Sequence, residues 1–208
     1  MDWTAPTPTP QSKVFFFAPT SFTCRASAPE VASALLALFD QIPHARILKA
    51  RPAKCSMTVR HFDANMRSCV VKLRLWQAPE RVVLECTRRS GDPFSFASLY
   101  SRVAHSLDPL FVGKVPKAAP PLPALPSVPL ESPRRASDVL PLLEMLESGV
   151  ESLALEACAA LYALVPDFPD ALDASVRCAL RRRAAHHECD SGYVACEVLR
   201  RLDSIAAV

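Results

Sequence analysis

Prolines divide this chain into two parts. Seven of the 20 prolines fall between residues 116 and 133, where a helix cannot continue because proline lacks an amide hydrogen and fixes its own backbone angle. Such a stretch favours polyproline II and acts as a semi-rigid spacer. We therefore predict a proline-rich linker over residues 113–133 between an α+β domain, residues 13–112, and a helical segment, residues 134–208. Residues 1–12 are expected to be a disordered tail.

The balance of charge changes sign at the same place. Residues 13–112 contain 14 Lys and Arg against 7 Asp and Glu, whereas residues 131–208 contain 8 against 13. The formal net charge of +3 therefore combines a basic part with an acidic part. An asymmetry of this kind predicts two units with different partners.

Glycine is too sparse for the usual nucleotide-binding loops. The chain has only 4 glycines, and each stands alone in the sequence. A P-loop, a dinucleotide-binding turn and a kinase phosphate flap all need clustered glycines, so these three devices are excluded. No other catalytic motif is visible, and we expect a protein without enzymatic activity and without a cofactor.

The cysteines and the apolar runs predict an intracellular protein. The 8 cysteines have no regular spacing, and the first residues lack the basic and apolar regions of a secretory signal. No apolar run approaches the ~20 residues that cross a bilayer. We expect free thiols in a reducing, cytoplasmic compartment, with at most peripheral membrane attachment. The His and Cys residues near the C-terminus match no zinc spacing, so no metal is expected.

Residues 13–112 predict a mixed α and β fold. Ser27 and Glu30 form a capping box that opens a helix, and Pro43 ends it. Apolar and polar residues alternate with a period of two, which predicts strands of an antiparallel sheet with one solvated face. The predicted strands cover residues 14–17, 55–62, 69–77 and 81–88. The turn at residues 90–93 caps a second helix, and both helices are expected on the apolar face of the sheet.

Residues 134–208 predict four helices. They are expected over residues 139–148, 151–165, 170–186 and 191–205. The pattern Ala-Cys-x-x-Leu-x-x-Leu occurs at residues 157–164 and again at residues 195–202, an offset of 38. An offset near 40 between helix pairs is typical of armadillo or HEAT-type stacking, and an ordinary four-helix bundle is the alternative. The predicted fold class is an α+β domain followed by a small all-α, armadillo- or HEAT-like segment.

Three blocks of the first domain share a pattern with a known family. The blocks are Ser21-Phe22 leading to Ala28-Pro29-Glu30-Val31, then Lys54-x-x-Met57-x-Val59, then Val83-Leu84-Glu85-x-x-Arg88-Arg89-Ser90-Gly91-Asp92 leading to Phe96-x-x-Leu99-Tyr100. With these blocks, residues 14–112 resemble the kinase-associated domain 1, a C-terminal regulatory fold of AMP-activated and microtubule-affinity-regulating kinases. The resemblance implies a fold and a binding habit, because family members bind anionic phospholipids, hold partner proteins or inhibit a kinase domain. It transfers no binding residue by position.

Candidate binding residues lie on or near the outward face of the predicted sheet. Clustered cations there would attract an anionic membrane leaflet by about 1 kcal/mol each, and Trp76 would anchor at the interface. The candidates for binding an anionic ligand are Lys49, Arg51, Lys54, Arg60, Lys72, Arg74, Trp76, Arg81 and Arg89. An ordinary solvated sheet face is the alternative interpretation of the same residues.

These observations predict a non-catalytic regulatory or scaffolding protein. Its basic domain would bind a protein partner such as a kinase, an anionic phospholipid, or both. A nucleic-acid-binding adaptor that uses the basic sheet face is the first alternative, although only one aromatic residue faces outward and no RNA-recognition motif is present. An uncharacterised enzyme is the second alternative.

Overall fold

The structure, a computed structural model, divides the chain into two compact units, residues 1–123 and 124–208. The described residues are 20–78, 80–112, 139–166, 169 and 172–206. Three expected segments lie outside them: the tail 1–12, the strand 14–17 and the linker 113–133. Across the described residues, no helix combines the length and the apolar character that a membrane span requires.

The first unit is a five-stranded antiparallel sheet with two helices, which confirms the predicted α+β class. The strands are β1 (Ser21–Cys24), β2 (Ala45–Arg51), β3 (Ser56–Phe62), β4 (Ser68–Gln77) and β5 (Val82–Gly91). Their spatial order is β1-β5-β4-β3-β2, so β1 and β2 form the two edges. Helix α1 (Ala28–Gln41) connects β1 to β2, and helix α2 (Pro93–Ser106) follows β5.

The alternation predicted β3, β4 and β5 but not the two edge strands. β1 is only four residues long, which is too short for a clear period of two. In β2 the pairing with β3 shifts register between Ile47 and Lys49, and Leu48 at this irregularity is 42% exposed. A β-bulge of this kind inserts one residue and reverses the alternation beyond it. The strand therefore does not show a continuous period of two.

Both helices of the first unit begin at the predicted caps. The Glu30 carboxylate accepts hydrogen bonds from the Ser27 backbone N–H at 2.8 Å and from the Ser27 hydroxyl at 2.7 Å. Asp92 caps α2 and accepts a first-turn backbone N–H at 2.8 Å. Gly91 precedes this cap with φ +86°, and a Cβ at that position would lie 2.3 Å from the carbonyl oxygen of Ser68. The turn therefore requires glycine.

The core of the first unit lies between one face of the sheet and the two helices. Alternate residues of β4 are buried, and they belong to one apolar cluster with residues of α1 and α2. Representative members are Val31, Leu35, Val59, Val71, Leu73, Leu84, Leu99 and Val103. The prediction that both helices cover the apolar face is confirmed, and the opposite face of the sheet carries the polar residues.

The described residues of the second unit form four helices, as predicted. They are α3 (Leu140–Glu147), α4 (Glu151–Leu164), α5 (Ala174–Ala184) and α6 (Asp190–Ala206). The expected start of α5 at residue 170 is wrong. Asp173 caps this helix instead, because its Oδ1 accepts the backbone N–H groups of Ser175 and Val176 at 2.9 and 3.0 Å. A capped first turn begins the helix at Ala174.

These helices pack as two hairpins, one beside the other. Helix α3 packs on α4 and α5 packs on α6, while α4 also packs on α6 and α3 on α5. An up-and-down four-helix bundle would place α4 against α5, and these two have no extensive contact in the described part of the chain. The packing therefore fits stacked helix pairs and argues against an up-and-down order, while a four-helix bundle with a crossover connection has the same contacts.

The buried positions of α4 and α6 correspond at an offset of 37 rather than 38. On and just after α4 the buried residues include Ala154, Ala157, Cys158, Leu161 and Val165. On α6 they include Ser191, Val194, Ala195, Val198 and Leu202, each 37 residues further along. The repeated letters of the sequence are thus one residue out of register with the packing. The match at 38 reflects a composition rich in Ala and Leu.

Candidate functional site

Alternate strand residues form a positively charged surface on the face of the sheet that points away from the core. Because Val71, Leu73 and Leu75 of β4 are buried in the core, Lys72 and Arg74 project from the other side. We call this surface the basic face. It is defined by six cations on three neighbouring strands: Arg46, Lys49, Arg51, Arg60, Lys72 and Arg74.

The strand register sets these cations in rows. In the first row, Arg46 of β2 lies opposite Arg60 of β3. The second row runs from Lys49 through Thr58 to Lys72. The third row runs from Arg51 through Ser56 to Arg74. Directly opposite residues have Cβ atoms about 5 Å apart, so the six charges occupy one continuous patch.

Arg46 is the member of the basic face that sequence reasoning missed. In a regular strand, Arg46 would project from the side opposite to Lys49 and Arg51. The register shift between Ile47 and Lys49 reverses the alternation, and all three cations of β2 project from the same face. The alternation carried no signal for Arg46. Its only signal was its place in a short stretch that is rich in basic residues.

Lys72 lies at the centre of the positive potential. Its pKa is lowered from the ordinary lysine value, first by desolvation and then by the positive charges of Arg74, Arg89, Arg51 and Lys54. The structure therefore brings the predicted residues Lys54 and Arg89 close to the basic face, although neither belongs to its rows. A bound anion would relieve the mutual repulsion of these charges.

Five of these cations, Arg46, Lys49, Arg51, Lys72 and Arg74, take part in none of the ion pairs found among the described residues. The ion pairs found there join other side chains, such as Arg67 with Asp63 and Arg200 with Glu197. The strand pairing places one carboxylate, Glu85, on this side of the sheet, opposite Arg74. A surface with this excess of positive charge attracts anions over a distance of about 8 Å at physiological salt.

Trp76, the expected membrane anchor, contacts two neighbouring side chains on this side of the sheet. Its indole Nε1 donates a hydrogen bond to Glu85 Oε2 at 3.0 Å. The Arg74 guanidinium lies over its ring, 5.5 Å from the ring centre. These two contacts occupy the polar edge and one face of the indole. Trp76 therefore stabilises the arrangement of Arg74 and Glu85, and its role as a membrane anchor stays a prediction.

The structure separates Arg81 from the other candidates. Arg81 lies in the turn between β4 and β5, beyond the end of the rows of cations. There it lines a cavity of about 400 Å³ together with Cys24, Ser27 and Gln77. Arg81 exchanges backbone hydrogen bonds with Ala78 in this turn, and its part in binding an anionic ligand stays a prediction. Alternation along a strand cannot place a residue that lies in a turn.

Two buried cysteines of this unit carry protonated thiols. Burial raises the pKa of Cys24 to about 11 and also raises the pKa of Cys86, so both thiols stay protonated at neutral pH. Across the described ranges, no three His, Cys, Asp or Glu side chains are grouped so that they could hold a metal ion.

The basic face suits an extended polyanion better than a small enclosed ligand, because its charges are spread over three strands. Comparison with protein-family models and with curated proteins gave no match for the chain.

Proposed function

We propose that this chain is a non-catalytic regulatory or scaffolding protein whose α+β unit attaches to anionic phospholipid membranes through the basic face. The observation that carries the proposal is the grouping of six cations on β2, β3 and β4. A kinase partner, which the resemblance implies, stays a prediction.

The expected strength follows from the number of charges. Each Lys or Arg close to an anionic leaflet contributes about 1 kcal/mol. The basic face holds six such residues, and Lys54 and Arg89 lie close enough to add to its potential. Six such charges give about 6 kcal/mol. Attachment of this size is reversible and depends on salt, which suits a regulatory module that leaves and returns to a membrane.

A lipid surface fits the basic face better than single-stranded nucleic acid. Proteins that bind single strands on a sheet stack the bases on exposed aromatic side chains. Trp76 already contacts Arg74 with one ring face and Glu85 with its indole nitrogen, which leaves less of the ring for a base. A leaflet of charged headgroups needs only an array of cations, which this surface provides.

Co-sedimentation of the full chain with vesicles tests the proposal. Vesicles of phosphatidylcholine mixed with phosphatidylserine should bind the protein, and vesicles of phosphatidylcholine alone should not. The double variant Lys72→Gln, Arg74→Gln removes two central charges and should weaken binding by about 2 kcal/mol, or roughly 30-fold. The matched control is Arg25→Gln, Arg81→Gln, which removes the same charge away from the basic face and should bind nearly as well as the unaltered chain.

Two results would contradict the proposal. Equal binding to neutral and anionic vesicles would show that charge does not drive the interaction. Equal weakening by the two double variants would show that net charge matters and the basic face does not. A single-stranded oligonucleotide that binds more tightly than anionic vesicles, and loses its binding in the Lys72→Gln, Arg74→Gln variant, would favour the nucleic-acid-binding adaptor instead.

A further inference from the structure

The two edges of the sheet are finished differently. The β1 edge is covered by the chain that follows α2. There the Arg25 N–H donates to the Leu110 carbonyl oxygen, and the Val112 N–H donates to the Thr23 carbonyl oxygen, both at 2.7 Å. At the other edge, no described segment pairs with the outer side of β2. Within residues 20–78 and 80–112, one edge is therefore closed by the protein itself and the other is open.

Register shows which backbone groups of β2 point outward. The Phe62 N–H donates to the His44 carbonyl oxygen at 3.0 Å, which fixes the bonded pairs of this antiparallel ladder. Bonded and non-bonded pairs alternate along such a ladder, so Arg46 faces β3 with its backbone groups and Ile47 does not. By the same alternation, the backbone N–H and C=O groups of Ile47 and Ala50 point away from β3.

The open edge is accessible and positively charged. Of the seven residues of β2, five are exposed: Arg46, Leu48, Lys49, Ala50 and Arg51. A strand of seven residues spans about 23 Å, which is enough for a short peptide to lie alongside it. An exposed edge with outward backbone groups is a template for another strand.

We propose that the β2 edge binds an acidic, extended segment of a partner protein by β-strand addition. The backbone groups of Ile47 and Ala50 would supply hydrogen bonds, and the three cations of β2 would select acidic side chains. A second copy of this edge would bring the same three cations and be repelled, so the charges exclude pairing of the chain with itself. The bulge at Leu48 interrupts the edge and favours a short partner strand.

This proposal shares the three cations of β2 with membrane attachment, but it also requires the outward backbone groups of the edge, which vesicle binding does not need. The probe is a fluorescent peptide of about eight residues that alternates Glu and Val, titrated into the full chain and followed by fluorescence polarisation. The same peptide N-methylated at alternate residues cannot donate backbone hydrogen bonds on one side. We expect it to bind at least about tenfold more weakly, and a Lys-Val peptide not to bind.

A variant of the edge tests the same contact from the protein side. Ala50→Pro removes an outward N–H without changing any charge. It should lower the affinity for the Glu-Val peptide about tenfold, while vesicle binding stays unchanged. Ala50→Ser keeps the N–H and is the matched control. Equal affinity of the methylated and parent peptides would overturn the proposal, and this comparison does not depend on whether Ala50→Pro folds. Equal peptide binding by folded Ala50→Pro and Ala50→Ser would overturn it as well.

Discussion

Mild acid should destabilise the α+β unit through one buried histidine. His61 of β3 is 3% exposed, and neither of its ring nitrogens has a hydrogen-bond partner in the described part of the chain. Its pKa is lowered from 6.5 to about 4, first by burial and then by the positive charge of Arg102, against a smaller opposing effect of Asp63. His44 also disfavours the charged ring. The folded protein therefore keeps His61 neutral at pH values where the unfolded chain protonates it.

The size and direction of the effect follow from this difference. Between pH 6.5 and about 4 the unfolded chain binds the proton and the folded chain does not, so the free energy of unfolding falls as the pH falls. One pKa unit corresponds to about 1.4 kcal/mol, and the whole shift to about 3 kcal/mol. About 2 kcal/mol of this is lost by pH 5. Carboxylates with lowered pKa, such as Glu30 and Asp173, affect the free energy of unfolding only at lower pH, where they become protonated.

Urea denaturation followed by tryptophan fluorescence measures this loss. His61→Leu removes the titrating ring, and the free energy of unfolding should then be nearly constant between about pH 7.5 and pH 5. His105→Gln alters an exposed histidine of α2 and should keep the full pH dependence of the unaltered chain. If His61→Leu showed the same fall in stability as the unaltered chain, the assignment to His61 would be refuted.

Three further substitutions test local features by urea denaturation. Gly91→Ala should cost more than about 2 kcal/mol, because φ is +86° and the new Cβ would meet the Ser68 carbonyl oxygen at 2.3 Å. Gly149→Ala should cost only about 1 kcal/mol, since its φ of +74° is strained but the space around it is open; an equal cost at the two glycines would contradict the steric argument. Glu151→Ala should destabilise the helical unit by about 1–2 kcal/mol, because the carboxylate accepts both the backbone N–H and the hydroxyl of Ser191 at 2.8 Å. An unchanged free energy of unfolding in Glu151→Ala would show that these two hydrogen bonds do not stabilise the helical unit.

Local signals in the sequence predict most of the fold of the first unit. The capping pair Ser27 and Glu30, the turn at Gly91 and the alternation along β4 each act within a few residues, and the structure shows all three as expected. Such features are readable because the physical cause and the residues that express it are neighbours in the chain.

The parts that sequence reasoning missed depend on contacts between distant residues. The sequence predicts Trp76 as an exposed anchor and gives no sign of its hydrogen bond to Glu85. Glu85 lies on the neighbouring strand, so the contact can be inferred only once the strand register is known. The helical repeat was read at an offset of 38, whereas the packing of α4 on α6 sets an offset of 37. The offset of 38 compares residue types, which are similar throughout a segment rich in Ala and Leu. The offset of 37 compares buried positions, which show how the two helices correspond in the structure.

The bulge in β2 explains how this strand adds three cations to the basic face. A regular strand over residues 45–51 would have to place either Arg46 or the pair Lys49 and Arg51 toward the core. Burial of an unpaired charge costs several kcal/mol, so neither regular alternative is stable. Insertion of Leu48 as an extra residue keeps all three cations in water and exposes one leucine instead. The bulge interrupts the period of two, so the sequence pattern does not predict this strand. The same bulge places the three cations of β2 on one face and leaves a short, cationic edge.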